Sequence, residues 1–194
     1  MGIGHQAGTV HIIDFGLAKE FRNPDTHLHI PLRQGCGLTG TPLFASNNSH
    51  SGYELGRQDD LESLAYVLIY FLCGGLPWEG LASPDLIACR KLECSINDLC
   101  YGLPIKYATL LRYSCTLAFH AKPDYDYIIG LFGNMMLNGA AHNDAVFEWV
   151  SESHLMCDHL YAPNTQPLMH CTSTSPTLKP PPCTPLAKLI HHMG

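Results

Sequence analysis

Several signals that sort proteins into broad classes are missing from these 194 residues. No Cys-x-x-Cys pair and no His-x₃-His pair occurs, although the chain holds 9 cysteines and 12 histidines. The spacing that builds a structural zinc site is therefore absent. "THLHI" (26–30) sets His27 and His29 on one face of an extended segment, but no third and fourth ligand accompany them. Positive charge is scarce, with 11 Lys and Arg against 17 Asp and Glu and a net charge of −6. No basic patch points to nucleic acid or to an anionic membrane. No apolar run reaches membrane-spanning length. The longest, "LAYVLIYFLCGGL" (64–76), reads as a buried helix. The first residues, "MGIGHQAGTV", lack the charged start and apolar centre of a secretory signal. Gln6 stands where a myristoylation signal wants Ser or Thr. These features lead us to expect an intracellular protein, cytoplasmic or nuclear, with reduced cysteines. Cys73 and Cys115, set in apolar segments, are expected as buried thiols.

What the chain does have is enough apolar residue for one ordinary core, 46% of the sequence. Its charge is uneven. Residues 1–150 carry 15 acids and 9 bases, and the last 44 residues two of each. Residues 8–13, "GTVHII", are rich in β-branched side chains and predict a short strand or hairpin arm. Residues 17–58 show little periodicity and hold Pro24, Pro31 and Pro42, which predicts a long loop. Long irregular segments inside compact domains tend to be functional.

At Asp59 the texture changes. "DDLESLAYVLIYFLCGG" opens on two acids suited to a helix N-terminus and closes on Gly74-Gly75. Leu61, Leu64, Ala65, Val67, Leu68, Ile69, Phe71 and Leu72 surround the helix, which predicts the centre of a core. Further helices are expected over 84–93, 105–119 and 124–137, with Asp124 as a cap, and a short one over 144–150. Beyond about residue 160 the chain is rich in Pro, Ser and Thr and is expected to be a disordered tail.

Three stretches carry a resemblance. "IIDFGLAKEFRNPDTHLHIPLR" is similar to the start of the activation segment of the casein kinase 1 family. "LTGTPLFASNNSHSGYELGRQDDLESLAYVLIYFLCGGLPWEGL" continues that resemblance in register, and "AKPDYDYIIGLF" with "VFEWV" resembles the end of the catalytic domain. The similarity spans roughly residues 1–150. It implies a mainly α fold, the lower lobe of a protein kinase, with a short strand before Asp-Phe-Gly. Residues 151–194 are expected to form a separate tail.

The resemblance implies protein Ser/Thr kinase chemistry, in which ATP donates its γ-phosphate to a protein hydroxyl. Asp14 would hold Mg²⁺ against the nucleotide phosphates, because a hard cation prefers carboxylate oxygen. Phe15 would pack beneath that Asp, and Gly16 would let the backbone turn into the activation loop. Asp60 would brace the catalytic loop through its backbone N–H groups. Thr39, Gly40 and Thr41 would lie beside the substrate hydroxyl.

The chain also departs from the family. The Gly-rich loop, the third-strand Lys with its Glu partner, and the His-Arg-Asp catalytic loop all precede Asp-Phe-Gly in that family and do not occur in these residues. Met1 is therefore expected to correspond to an internal methionine of a longer ancestor. These 194 residues are expected to be inactive alone, a pseudokinase-like binding module or decaying fragment being the alternative. The family's "GTARYAS" reads "GTPLFAS" here, so Leu43 replaces an anion-binding Arg. A basic segment after "LPWEGL" is also missing. Two helices that precede the catalytic loop normally cover the 60–73 helix, so either a marginal, sticky fold or a protein partner that covers it is expected here. Protein substrates are the other implied partners.

Overall fold

The computed structural model describes the backbone of residues 8–137. The expected helix at 144–150 and the tail lie outside the described residues. Contacts divide the described residues into two units, residues 15–135 and a smaller one that holds residues 8–14 and 136–137.

The larger unit is mainly helical. Its elements are α1 (Asn47–His50), α2 (Arg57–Cys73), α3 (Pro84–Glu93), α4 (Ile96–Leu99), α5 (Ile105–Thr116) and α6 (Tyr125–Leu137). A one-turn 3₁₀ helix, Phe15–Leu17, precedes them. The described residues form no named strand, only two isolated antiparallel bridges, Arg22 with His29 and Gln34 with Tyr53. The strand expected at 8–13 is therefore corrected. A strand needs a neighbour for its backbone N–H and C=O groups. No described segment pairs with this one, and Val10, Ile12 and Ile13 are exposed.

Each helix begins and ends for a local reason. The hydroxyls of Ser46, Ser83 and Ser95 accept the backbone N–H three residues on, capping α1, α3 and α4. The Asp124 carboxylate accepts the N–H of Tyr127 at the start of α6. Gly74 ends α2 in the left-handed conformation, φ 75°, with its N–H on the Tyr70 carbonyl. A side chain there would strain the backbone, so α2 stops where the sequence places its first glycine.

The core lies where α2 packs on α5. Ala65, Tyr66 and Ile69 of α2 meet Ala108, Leu110 and Leu111, with Leu76, Trp78, Ile87 and Leu99 closing the cluster. The ring of Tyr66 meets the Trp78 ring nearly edge-on, centroids 5.2 Å apart.

The all-round burial expected for α2 is also corrected. Its Leu61–Ala65–Ile69 face is buried, but Leu64 is 45% exposed, Leu72 50% and Phe71 74%. The helix is apolar on more sides than α5 and α1 can cover. Cys73 and Cys115, expected in the core, are exposed. Cys36, Cys73, Cys94, Cys100 and Cys115 are free thiols. No described helix is long and apolar enough to cross a membrane.

Candidate functional site

The expected site residues fall into three groups, which the structure treats differently. Asp14 is exposed and takes a left-handed backbone conformation, φ 62°. A non-glycine residue there is uncommon, and such strain clusters at functional positions. The next residues, Phe15–Leu17, make the 3₁₀ turn, closed by the Ala18 N–H on the Phe15 carbonyl at 3.0 Å. Phe15, expected to pack beneath the Asp, is 69% exposed. In these residues it has no floor to rest on.

Thr39, Gly40 and Thr41 form an exposed platform that is fixed from below. The buried Ser49 hydroxyl accepts the Thr39 N–H at 3.1 Å and donates to the Thr39 carbonyl at 3.0 Å. Gly40 sits at φ 89°, a conformation that explains glycine at this position. The Thr41 carbonyl accepts the N–H groups of both Phe44 and Ala45 at 2.9 Å.

The segment after the platform is pinned by three side chains from three directions. Trp78 Nε1 donates to the Leu43 carbonyl at 2.8 Å. Lys91 Nζ, from α3, donates to the carbonyls of Pro42 at 3.1 Å and Ala45 at 2.5 Å. His50 Nε2 lies 3.0 Å from the same Pro42 oxygen. That oxygen can only accept, so Nε2 carries the hydrogen. Burial, and then the Lys91 charge, hold the His50 imidazole below its usual range. Leu43 packs against the core cluster.

The acids at the start of α2 divide their roles. Asp59 is buried and does the bracing. Its Oδ2 accepts the Gly56 N–H at 2.7 Å and the Gln58 amide at 2.9 Å. Its Oδ1 accepts the Ser46 hydroxyl at 2.8 Å and the Asn48 amide at 3.0 Å. Asp60 is exposed overall and accepts no hydrogen bond from the described residues. Partial loss of water, then the Asp59 charge, raise its carboxyl above the ordinary value. Among the described residues, none donates to Asp60 in the way expected of a catalytic loop.

Two further charged groups were not legible as site residues. Glu62 Oε1, buried on α2, accepts the Asn47 N–H and amide and the Tyr66 hydroxyl, at 2.8–3.0 Å. Burial still raises its pKa. Lys91 is 4% exposed. Its position carried one signal: it lies on the α3 face of Ile87 and Ala88, where helical spacing expects an apolar residue.

His27 and His29, expected on one extended face, diverge. His27 has φ 55° and is exposed. His29 packs on Phe119 and His120, with ring centroids 4.8 and 4.7 Å apart, and its Nδ1 donates to the Ile30 carbonyl. Among the described residues no group of three or more His, Cys, Asp or Glu could hold a metal. A Mg²⁺–nucleotide complex at Asp14 would therefore draw ligands from water and phosphate as well as from carboxylate. No protein-family model matches the chain.

Proposed function

We propose that residues 1–150 are the lower lobe of a casein-kinase-1-like protein Ser/Thr kinase. In that reading Asp14 is the Mg²⁺ ligand and Phe15 and Gly16 shape its turn. Thr39–Thr41 is the shelf beside the acceptor hydroxyl. ATP and Mg²⁺ are the cofactors and proteins the substrates. Two features, each taken by itself, support the reading. One is the left-handed Asp14 entering a tight turn. The other is a Thr-Gly-Thr platform that is exposed, yet held through its backbone by Ser49.

Phosphoryl transfer is mostly positioning and charge stabilisation. Each 1.36 kcal/mol of lost stabilisation costs about tenfold in rate. These residues hold no phosphate-covering loop, no nucleotide lysine and no base Asp. Alone, they transfer no phosphate. The exposed Leu64–Phe71–Leu72 face of α2 favours a second use, in which a protein partner covers the helix.

The test is transfer of labelled γ-phosphate from ATP to a Ser/Thr-rich protein. The 194-residue chain is expected to show none, and robust transfer by it overturns the reading of its catalytic parts. The same chain joined to the upstream sequence of its own transcript is expected to transfer phosphate and to lose that activity with Asp14→Asn. Unchanged activity of that variant overturns the role given to Asp14.

A further inference from the structure

Beside Lys91 lies a cavity of about 180 Å³, walled by Tyr66, Trp78, Leu92, Ile96, Leu99 and Leu111. The exposed Leu92 and half-buried Cys94 also line it. The lysine amine in its wall makes an unusual set of contacts. Two of its hydrogens go to the Pro42 and Ala45 carbonyls. Its nitrogen lies 4.7 Å from the Tyr66 ring centre and 5.2 Å from that of Trp78. No carboxylate comes within ion-pair range; the described salt bridges are Lys19 and Arg33 with Glu54, and Arg90 with Glu93.

An ammonium has three hydrogens, and the two carbonyls account for two. The third valence is left for the rings and the space they enclose. When the amine loses one proton, both carbonyl bonds survive and the freed lone pair takes that third direction. The fixed donors therefore orient the nucleophile.

We propose that Lys91 is an electrophile-accepting amine, and that the cavity admits a small, flat, apolar aldehyde to it. The amine lone pair attacks the carbonyl carbon while the carbonyl oxygen takes a proton. The nitrogen then gives up a proton and the hydroxyl leaves as water. Amine and aldehyde thus become imine and water, with no oxidant or reductant needed. A protonated imine keeps one N–H, enough for one of the two carbonyls. The rings of Tyr66 and Trp78 give a flat aldehyde surfaces to stack on.

Burial supports the chemistry. It lowers the Lys91 amine to about 8, while the Glu62 charge pulls weakly the other way. Desolvated lysines are activated in this way. At neutral pH roughly a tenth of the amine is free, against about one part in 2,500 for an ordinary lysine.

The test treats the full chain with benzaldehyde and cyanoborohydride at neutral pH and maps the modified lysines by mass spectrometry. The expected result is Lys91 labelled about tenfold or more faster than Lys106 or Lys122, a margin below the free-amine ratio because Lys91 is buried. That preference is expected to vanish in urea. Lys91 labelling is expected to level off above pH 8, while Lys122 labelling keeps rising. Labelling of Lys91 no faster than of Lys122 in the folded chain overturns the proposal, as does a preference that persists in urea. Lys91→Arg keeps donors for the two carbonyls and is expected to remove the preferred label alone.

Discussion

The indole N–H of Trp78 donates to the carbonyl oxygen of Leu43 across 2.8 Å, joining residues 35 positions apart. Trp78 is 1% exposed, so the bond is made away from water, at the inner edge of the segment that follows the Thr39–Thr41 platform. Trp78→Phe keeps most of the apolar bulk and removes the donor. It is expected to destabilise the chain by about 1–3 kcal/mol, the cost of an orphaned buried acceptor. Denaturant unfolding measures this, and an unchanged midpoint would show that the bond contributes nothing.

The neighbouring acids of α2 give a paired prediction. Asp59→Asn weakens charge-assisted bonds to Ser46, Asn48, Gly56 and Gln58 and is expected to cost about 1.5–3 kcal/mol. Asp60→Asn is expected to change stability by less than about 0.5 kcal/mol. Equal effects of the two substitutions in thermal or denaturant unfolding would contradict this division.

The contrast between those two residues shows what was legible in the sequence. Two acids at a helix start are visible as letters, and the helix they open was expected from them. Which acid turns inward depends on Ser46 and Asn48, brought in by a turn that periodicity does not reveal. Helices α3 and α6 were legible to within a residue, because Ser83-Pro84 and Asp124 are strong start signals. Short α1 and α4 were not, since a single turn has no period to detect. The strand expected from "GTVHII" failed for a different reason. β-branched residues record a preference for pairing, and pairing needs a second segment. Lys91 was hidden because charge normally marks a surface, and here two backbone carbonyls and two aromatic rings replace water around it.

Lys91 also predicts a pH dependence. Its folded-state value, about 8, lies below the 10.5 of an unfolded lysine. Between those values the unfolded chain binds more protons, so this group's contribution to stability rises with pH across about 8 to 10.5. Cys94 and Cys100, raised by burial, contribute in the opposite sense at high pH. The difference between the parent and Lys91→Met isolates the lysine. The parent is expected to gain stability relative to that variant from pH 8 to 10. A flat difference would contradict it.

Glu54 governs the acid side. The hydrogen bond from Lys19, first, outweighs the opposing effect of burial, and the Lys19 and Arg33 charges add to it, so the carboxyl is held below 4.5. Its contribution is complete above the unfolded value and lost as pH falls through the lowered folded value. Lys19 and Arg33 are exposed, so the effect is small. Glu54→Gln is expected to flatten the acid end of the stability–pH curve, read by denaturant unfolding between pH 3 and 6 (about the range the carboxylates titrate in). An acid limb as steep as the parent's would contradict the role assigned to Glu54.

The lower-lobe reading is tested most directly by sequencing the 5′ end of the transcript and reading the frame upstream of Met1. The account predicts that the sequence there encodes a His-Arg-Asp catalytic loop, a lysine on a third strand and a Gly-rich loop, in the order that leads into Asp14-Phe15-Gly16. Upstream coding sequence with none of these features would contradict it, and the left-handed Asp14 would then belong to some other turn than that of a kinase.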